Sequence, residues 1–209
     1  MNTLKHIFLS GLVIAAAFGL TACNAIEDQS QSNSLLTVLS LQGTDTQGNA
    51  VYFLNSDVVN LSNGSPTIYA DSAAVAIRNW PLDPNPIGGV SQFYDVLLTR
   101  YVVSYSQPNG ANQEGVDVPY SFEGNLSVLV PINGTVNFGF VIVREVAKME
   151  PPLAQLQNSL DVLQVTAKVD FYGHDLANHK VSTTGYLTIY FANYADSSSG
   201  ATLSPRGQK

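Results

Sequence analysis

Leu163-Gln164-Val165-Thr166-Ala167-Lys168-Val169-Asp170-Phe171-Tyr172 is the stretch that decides the fold. Apolar and polar residues alternate through it without a break. Leu163, Val165, Ala167, Val169 and Phe171 fall on one side; Gln164, Thr166, Lys168 and Asp170 fall on the other. A period of two belongs to an extended strand with one face in a core and one in water. At the helical period the same apolar residues would scatter around the axis.

Working outward, the same texture recurs at 35–42, 50–61, 67–79, 94–106, 126–132, 135–147 and 181–194. These runs are separated by turn chemistry such as Gly43-Thr44-Asp45-Thr46-Gln47-Gly48-Asn49, Asn63-Gly64 and Pro108-Asn109-Gly110. Asn133-Gly134 divides two alternating runs. One carries Leu126, Val128 and Val130 on a face, the other Val136, Phe138, Phe140 and Ile142, and this pair is predicted to form a hairpin. Residues 80–89 hold three prolines and a Gly-Gly and read as a loop. Only 151–158, with prolines at its start, reads as a short helical turn. Hydrophobic residues make up 45% of the chain and charged residues 12%, which excludes a disordered body. No composition break interrupts 35–195. The expectation is one all-β domain, an antiparallel β-sandwich of about seven to nine strands, with a closed barrel as the competing architecture.

The amino terminus has a different character. Lys5 sits in a short polar lead, and residues 7–20 form an apolar run shorter than the roughly 20 residues a membrane-spanning helix requires. That length fits the core of a signal peptide. Leu20-Thr21-Ala22-Cys23 follows directly and resembles the lipobox of bacterial lipoproteins. The resemblance implies cleavage between Ala22 and Cys23, a diacylglycerol on the Cys23 thiol and an acyl chain, typically palmitate, on the new amino group. A thiol suits that role because its thiolate is the stronger nucleophile. Several acyl chains anchor a protein stably without a spanning helix, at about 0.8 kcal/mol per buried methylene. Cys23 is the only cysteine, so no disulfide is expected. In the lipoprotein sorting rule of many diderm bacteria, Asn24 after the cysteine points to the outer rather than the inner membrane.

These readings divide the chain into a removed signal peptide at 1–22, a polar flexible tether at 23–34, a β-sandwich at 35–195 and a disordered Ser/Gly/Pro tail at 196–209. Within the sandwich, Phe171-Tyr172-Gly173-His174-Asp175-Leu176-Ala177-Asn178 and the run after it resemble the last hairpin of bacterial immunoglobulin-like domains, with His179 where those carry Gly. This implies an immunoglobulin or fibronectin-like topology and no activity. The chain as a whole resembles uncharacterised exported lipoproteins of Gram-negative bacteria, which likewise implies no activity.

Chemistry-bearing constellations are sparse. The formal charge is −7 with nine Lys and Arg, which disfavours nucleic acid and offers no basic patch for anionic lipid. No Gly-rich phosphate loop opens a helix, so no nucleotide site is expected. Beyond the signal segment only His174 and His179 remain, and no G-x-S-x-G accompanies them. A zinc site lacks ligands, since the one cysteine is lipidated. Asp175 and Asn178 are candidate calcium ligands, but turn residues of this kind more often serve their own backbone. Glu114, Asp117 and Glu123 could pair for glycoside cleavage only if the fold gathered them. The most suggestive surface is Trp80 with Asn79 and Asp83, an aromatic beside a proline-rich loop that could hold a partner or stack on a sugar. A second is the parity-matched Tyr186, Tyr190 and Tyr194. The expectation is a non-catalytic envelope lipoprotein without a cofactor, held at the membrane by its lipid and meeting an envelope protein partner. The alternative is capture of a carbohydrate or other substrate through the Trp80 loop.

Overall fold

Alternation at period two gives every apolar stripe one side to bury, and two sheets facing each other satisfy all of them at once. The computed structural model describes residues 31–61 and 65–194, and nine strands occur among them. One sheet contains β1 (Ser34–Thr44), β2 (Ala50–Val51), β4 (Asp71–Pro81) and β7 (Thr135–Val143), in the order β2-β1-β4-β7. The other contains β3 (Phe53–Asp57), β5 (Val96–Ser106), β6 (Phe122–Val130), β8 (Leu163–Asp175) and β9 (Lys180–Ala192), in the order β3-β9-β8-β5-β6. The order β1-β4-β7 against β9-β8-β5-β6 is the immunoglobulin arrangement A-B-E against G-F-C-C′. The protein is therefore an all-β sandwich. The proposed signal peptide, Cys23, most of the tether, the Asn63-Gly64 turn and the tail at 196–209 lie outside the described residues.

The stretch that announced the fold became β8, and its inward residues Val165, Ala167, Val169 and Phe171 are buried. β8 has the longest ladders, to β5 on one side and β9 on the other. From the opposite sheet, Val75 and Ile77 of β4 and Phe140 and Ile142 of β7 close the core. Among the described residues, no helix is long and apolar enough to cross a membrane.

Several expectations are corrected. The sandwich is not wholly antiparallel, because β3 pairs in parallel with β9. The run expected at 50–61 is two strands. β2 closes on β1, and the chain then crosses to the other sheet at the exposed Tyr52. The predicted hairpin does not form: β6 pairs with β5, and β7 pairs with β4. Pro131 has no N–H to continue a ladder, and the turn's polar groups are claimed by other strands. Ile132 N donates to Asp95 Oδ1 at 2.8 Å, and Gly134 O accepts from Asn79 N at 3.1 Å. The two apolar stripes therefore face each other across the sandwich instead of lying side by side. The expected helical turn is two short helices, α1 (Glu145–Met149) and α2 (Leu153–Leu156).

α1 also carries a buried cation. Lys148 Nζ lies 2.9 Å from Asp71 Oδ2 and donates to Asp57 O at 2.7 Å, while Ser56 Oγ donates to Asp71 Oδ2 at 2.6 Å. Burial pushes the Asp71 carboxyl above its ordinary value, against the Lys148 ammonium and the Ser56 hydroxyl that pull it down. The network joins β3, β4 and α1 at one end of the sandwich.

Two stability outcomes follow. In Lys148→Met the Asp71 carboxyl is left buried without its cation, at an expected cost of about 3–5 kcal/mol. Adding Asp71→Leu to that variant should restore much of the loss. With its folded pKa raised, Asp71 favours folding below its unfolded value and loses that contribution as pH rises through the folded value. The Lys148→Met variant should therefore become relatively more stable as pH is lowered from neutrality, in urea titrations over a pH series. The second outcome concerns glycines. A Cβ on Gly173 would lie 2.2 Å from Leu97 O, whereas one on Gly139 would lie 3.7 Å from Ala73 O. Gly173→Ala should cost about 1–3 kcal/mol by overpacking against backbone, while Gly139→Ala should be neutral or stabilising in the same assay.

Candidate functional site

Strand parity decides what each residue near Trp80 can do. In β4, Ala73, Val75, Ile77 and Asn79 point inward, so Arg78 and Trp80 point outward. Trp80 is 39% exposed and pairs across the strands with Leu35 of β1. The Arg78 guanidinium stacks 3.8 Å from its ring centroid, covering one face of the indole. Asp83 is exposed, and its Oδ1 accepts from Asn85 N at 2.9 Å, a turn-stabilising bond.

Asn79 is not a surface contact. It is fully buried, and its Nδ2 donates to Tyr94 O at 2.8 Å and to Val130 O at 3.2 Å. Adjacent strand residues face opposite sides, so the neighbour of an exposed tryptophan belongs to the core. Asn79 acts as a clamp. It ties β4 to the β4–β5 connection, where a 3₁₀ turn (Gln92–Tyr94) precedes β5, and to the end of β6. Ser34 Oγ donates to the same Tyr94 carbonyl.

The 175–179 turn sits at the same end. Asp175 is fully buried, and its Oδ1 accepts from Ala177 N at 3.0 Å and from His179 N at 2.8 Å. Its Oδ2 lies 2.9 Å from His179 Nδ1. Asn178 occupies the left-handed region at φ 68°, and its N–H donates to Asp175 O. The carboxylate thus faces N–H donors, which present positive charge where a calcium ion would need oxygen. Asp175 and Asn178 build the turn. Among the described residues no group of three His, Cys, Asp or Glu is placed to hold a metal.

The three acids at 114–123 are not gathered into a pair. Glu114 Oε1 accepts from Ser121 N, Asp117 Oδ2 accepts from Gln113 N, and Glu123 meets Arg100 at 3.2 Å. The tyrosine stripe divides in two. Tyr186 is exposed, whereas Tyr190 meets Phe53 edge-on at 6.1 Å and the Tyr194 hydroxyl donates to Asn55 Oδ1 at 3.1 Å. In the core, burial drives the Tyr105 hydroxyl far above its ordinary pKa, and that hydroxyl donates to Ile142 O at 2.7 Å.

One feature has no signal in the sequence. On the outer face of the five-stranded sheet, Thr99, Arg100, Tyr172, Gly173, Lys180 and Ser182 line an open groove of about 410 Å³. The β5 register shifts between Leu98 and Arg100, so Thr99 has no partner position in the ladder. The Arg100 guanidinium lies 4.3 Å from the Tyr172 ring centroid. The groove therefore offers an aromatic face, hydroxyls and cationic groups, the equipment for a polar ligand with an apolar side.

Asn79→Ala should destabilise the protein by about 1–3 kcal/mol, because the Val130 carbonyl loses its donor inside the core. Asp83→Ala, at an exposed turn, should change stability by less than about 0.5 kcal/mol. Chemical denaturation of the two variants checks the contrast. No protein-family model matches the chain, and no curated protein matches it.

Proposed function

We propose that this chain is a bacterial envelope lipoprotein, anchored through acylated Cys23 and without catalysis of its own, whose sandwich meets a protein partner of the envelope. The observation that carries the reading is Leu20-Thr21-Ala22-Cys23 directly after a short apolar run. The lone cysteine supports it, as does a fold that stands without a disulfide. Asn24 favours the outer membrane. The non-catalytic part is supported by the local bonding of Glu114, Asp117, Glu123, Asp170 and Asp71, each of which serves a neighbour in the fold. The partner surface we favour is the outer face of the five-stranded sheet, where Tyr186 is exposed and Arg100 stacks on Tyr172.

A second reading is capture of a carbohydrate or similar polar substrate. The groove beside Tyr172 favours it, since an aromatic ring flanked by hydroxyls suits a sugar's alternating apolar and polar faces. Trp80, whose indole carries Arg78 as the Tyr172 ring carries Arg100, is the other aromatic platform.

Intact-mass analysis of the membrane-extracted protein should show a chain beginning at Cys23 and carrying a diacylglycerol and an acyl group. Cys23→Ser should accumulate as the unprocessed precursor. A mature protein with unmodified residue 23 would end the lipoprotein reading. In-cell cross-linking followed by mass spectrometry should recover an envelope protein through the five-stranded sheet. If glycan arrays instead show binding that Tyr172→Ala abolishes, the second reading replaces the first; an array unchanged by that substitution removes it.

A further inference from the structure

The lipid anchor, if present, also assigns an orientation. The described fold begins at the end of the sandwich that holds the β4–β5 connection: Asn33 O accepts from Leu82 N at 2.8 Å, and Ser34 pairs with Pro81. Ten residue steps separate Cys23 from Asn33, and they reach at most about 33–36 Å when fully extended. β8 alone has 13 residues, a length of roughly 43 Å. An anchored chain therefore keeps the β4–β5 end within reach of the bilayer, whereas a tether this short cannot span the length of the domain to bring the opposite end down first.

That near end is apolar. Leu35, Trp80, Leu82, Ile87, Phe93 and Leu176 are all exposed, with Phe93 at 64% and Ile87 at 106%. Backbone pairing and hydrogen bonds gather five of them around one rim, and Ile87 lies on the loop between Leu82 and Phe93. Leu35 is paired with Trp80, Leu82 bonds Asn33, Phe93 lies in the turn whose Tyr94 carbonyl Asn79 holds, and Leu176 N donates to Asp95 O at 3.0 Å. From Trp80 to Asp95 the only charged residues are Asp83 and Asp95, and each accepts a backbone N–H, from Asn85 and from Ile132. Pro81, Pro84 and Pro86 stiffen the segment that projects Ile87.

We propose that this rim is a membrane-docking face, in which the β4–β5 loop places Ile87, Leu82 and Phe93 among the acyl chains and Trp80 at the headgroup level of the leaflet that holds the lipid anchor. The inference rests on the lipoprotein reading. The occupant is a lipid surface, engaged by apolar insertion and by the interfacial preference of an indole. The segment from Trp80 to Asp95 itself has no Lys or Arg, so attraction to anionic headgroups is left to flanking cations such as Arg78, stacked on Trp80. The opposite end also exposes apolar side chains, Val146, Met149, Leu160 and Val162, but they lie in the β7–β8 connection, away from the tether, and the most exposed of them, Leu160, supplies the control.

Trp80 is the only tryptophan, so the wild-type protein reports on itself. Full-length lipidated protein in phosphatidylcholine vesicles is compared between ordinary and bromine-labelled acyl chains. Trp80 emission should be about two-fold weaker in the brominated vesicles and protected from aqueous iodide. Ile87→Ser with Phe93→Ser should abolish the bromine effect, and Leu160→Ser should leave it intact. Circular dichroism confirms that the variants fold. Equal emission in both vesicles, with full iodide access, overturns docking while intact mass keeps the anchor standing. Protection from iodide that rises with protein concentration without bromine quenching also overturns it, in favour of a contact between copies. If Cys23 carries no lipid, the anchor reading fails separately. Docking is then read from vesicle co-sedimentation of the same chain: loss in Ile87→Ser sustains it, and no sedimentation of the wild type ends it.

Discussion

Phe171 sits where the two sheets meet. From β8 its ring reaches Phe138 at 5.9 Å and Phe140 at 5.3 Å, both on β7 of the opposing sheet, while Tyr101 of β5 lies 5.0 Å from Phe140. These are mostly edge-to-face contacts, the geometry that ring quadrupoles prefer. The β4–β7 side and the β8–β5 side share no ladder, so apolar contact of this kind is what joins them. Burying such rings at about 25 cal/mol per Å² gives several kcal/mol from one cluster. It also fixes the sheet separation, and with it which residue of every strand turns outward.

Apolar contact is non-directional and would tolerate small slips of one sheet over the other. Polar groups at the two ends remove that freedom. At one end Lys148 reaches Asp71 and the Asp57 carbonyl, holding a helix, a central strand and the parallel strand β3 together. At the other end Asn79, Asp95 and Asp175 each bond a different connection. Buried polar groups must find their partners or lose more than a kcal/mol apiece, so these clamps select one register among several of similar apolar area. The same clamps set the shape of the loops that any partner meets.

The limits of what the sequence discloses follow from this division. Period two reveals which face of a strand is buried but not which strand lies beside it. Asn133-Gly134 therefore suggested a hairpin where the structure has a crossing between sheets. What separated the outcomes was tertiary: Asn79 and Asp95 claim the turn's backbone, and neither lies near it in sequence. Part of the site is legible in the sequence. Parity alone assigns Asn79 to the core once Trp80 is placed outside. Lys148 gave no warning, since a lysine in a short helix reads as solvated until Asp71 is found beside it. The groove at Arg100 and Tyr172 depends on a bulge after Leu98 and on Gly173 packing against Leu97, features that exist only when three strands are assembled.

The two sheets are not equivalent surfaces for recognition. On the outer side of β4 and β7 the central positions are Ala74, Ala76 and Gly139, small residues that offer little side-chain reach. The outer side of β8 and β9 carries Lys168, Asp170, Thr184 and Tyr186, with Asp170 bonded to Lys168 at 2.8 Å and to Thr184 at 2.6 Å. Those bonds hold the Asp170 carboxyl below its ordinary pKa despite the opposing effect of partial burial. An aromatic set among ordered polar groups loses little side-chain freedom on contact, which lowers the entropic cost of binding. Under the proposed anchoring, strands rising from the tethered end would display this sheet along their length to partners in the surrounding compartment, while the apolar rim faced the lipid. A single strand order would thus give one domain two separate surfaces, divided by the direction in which its chain leaves the membrane.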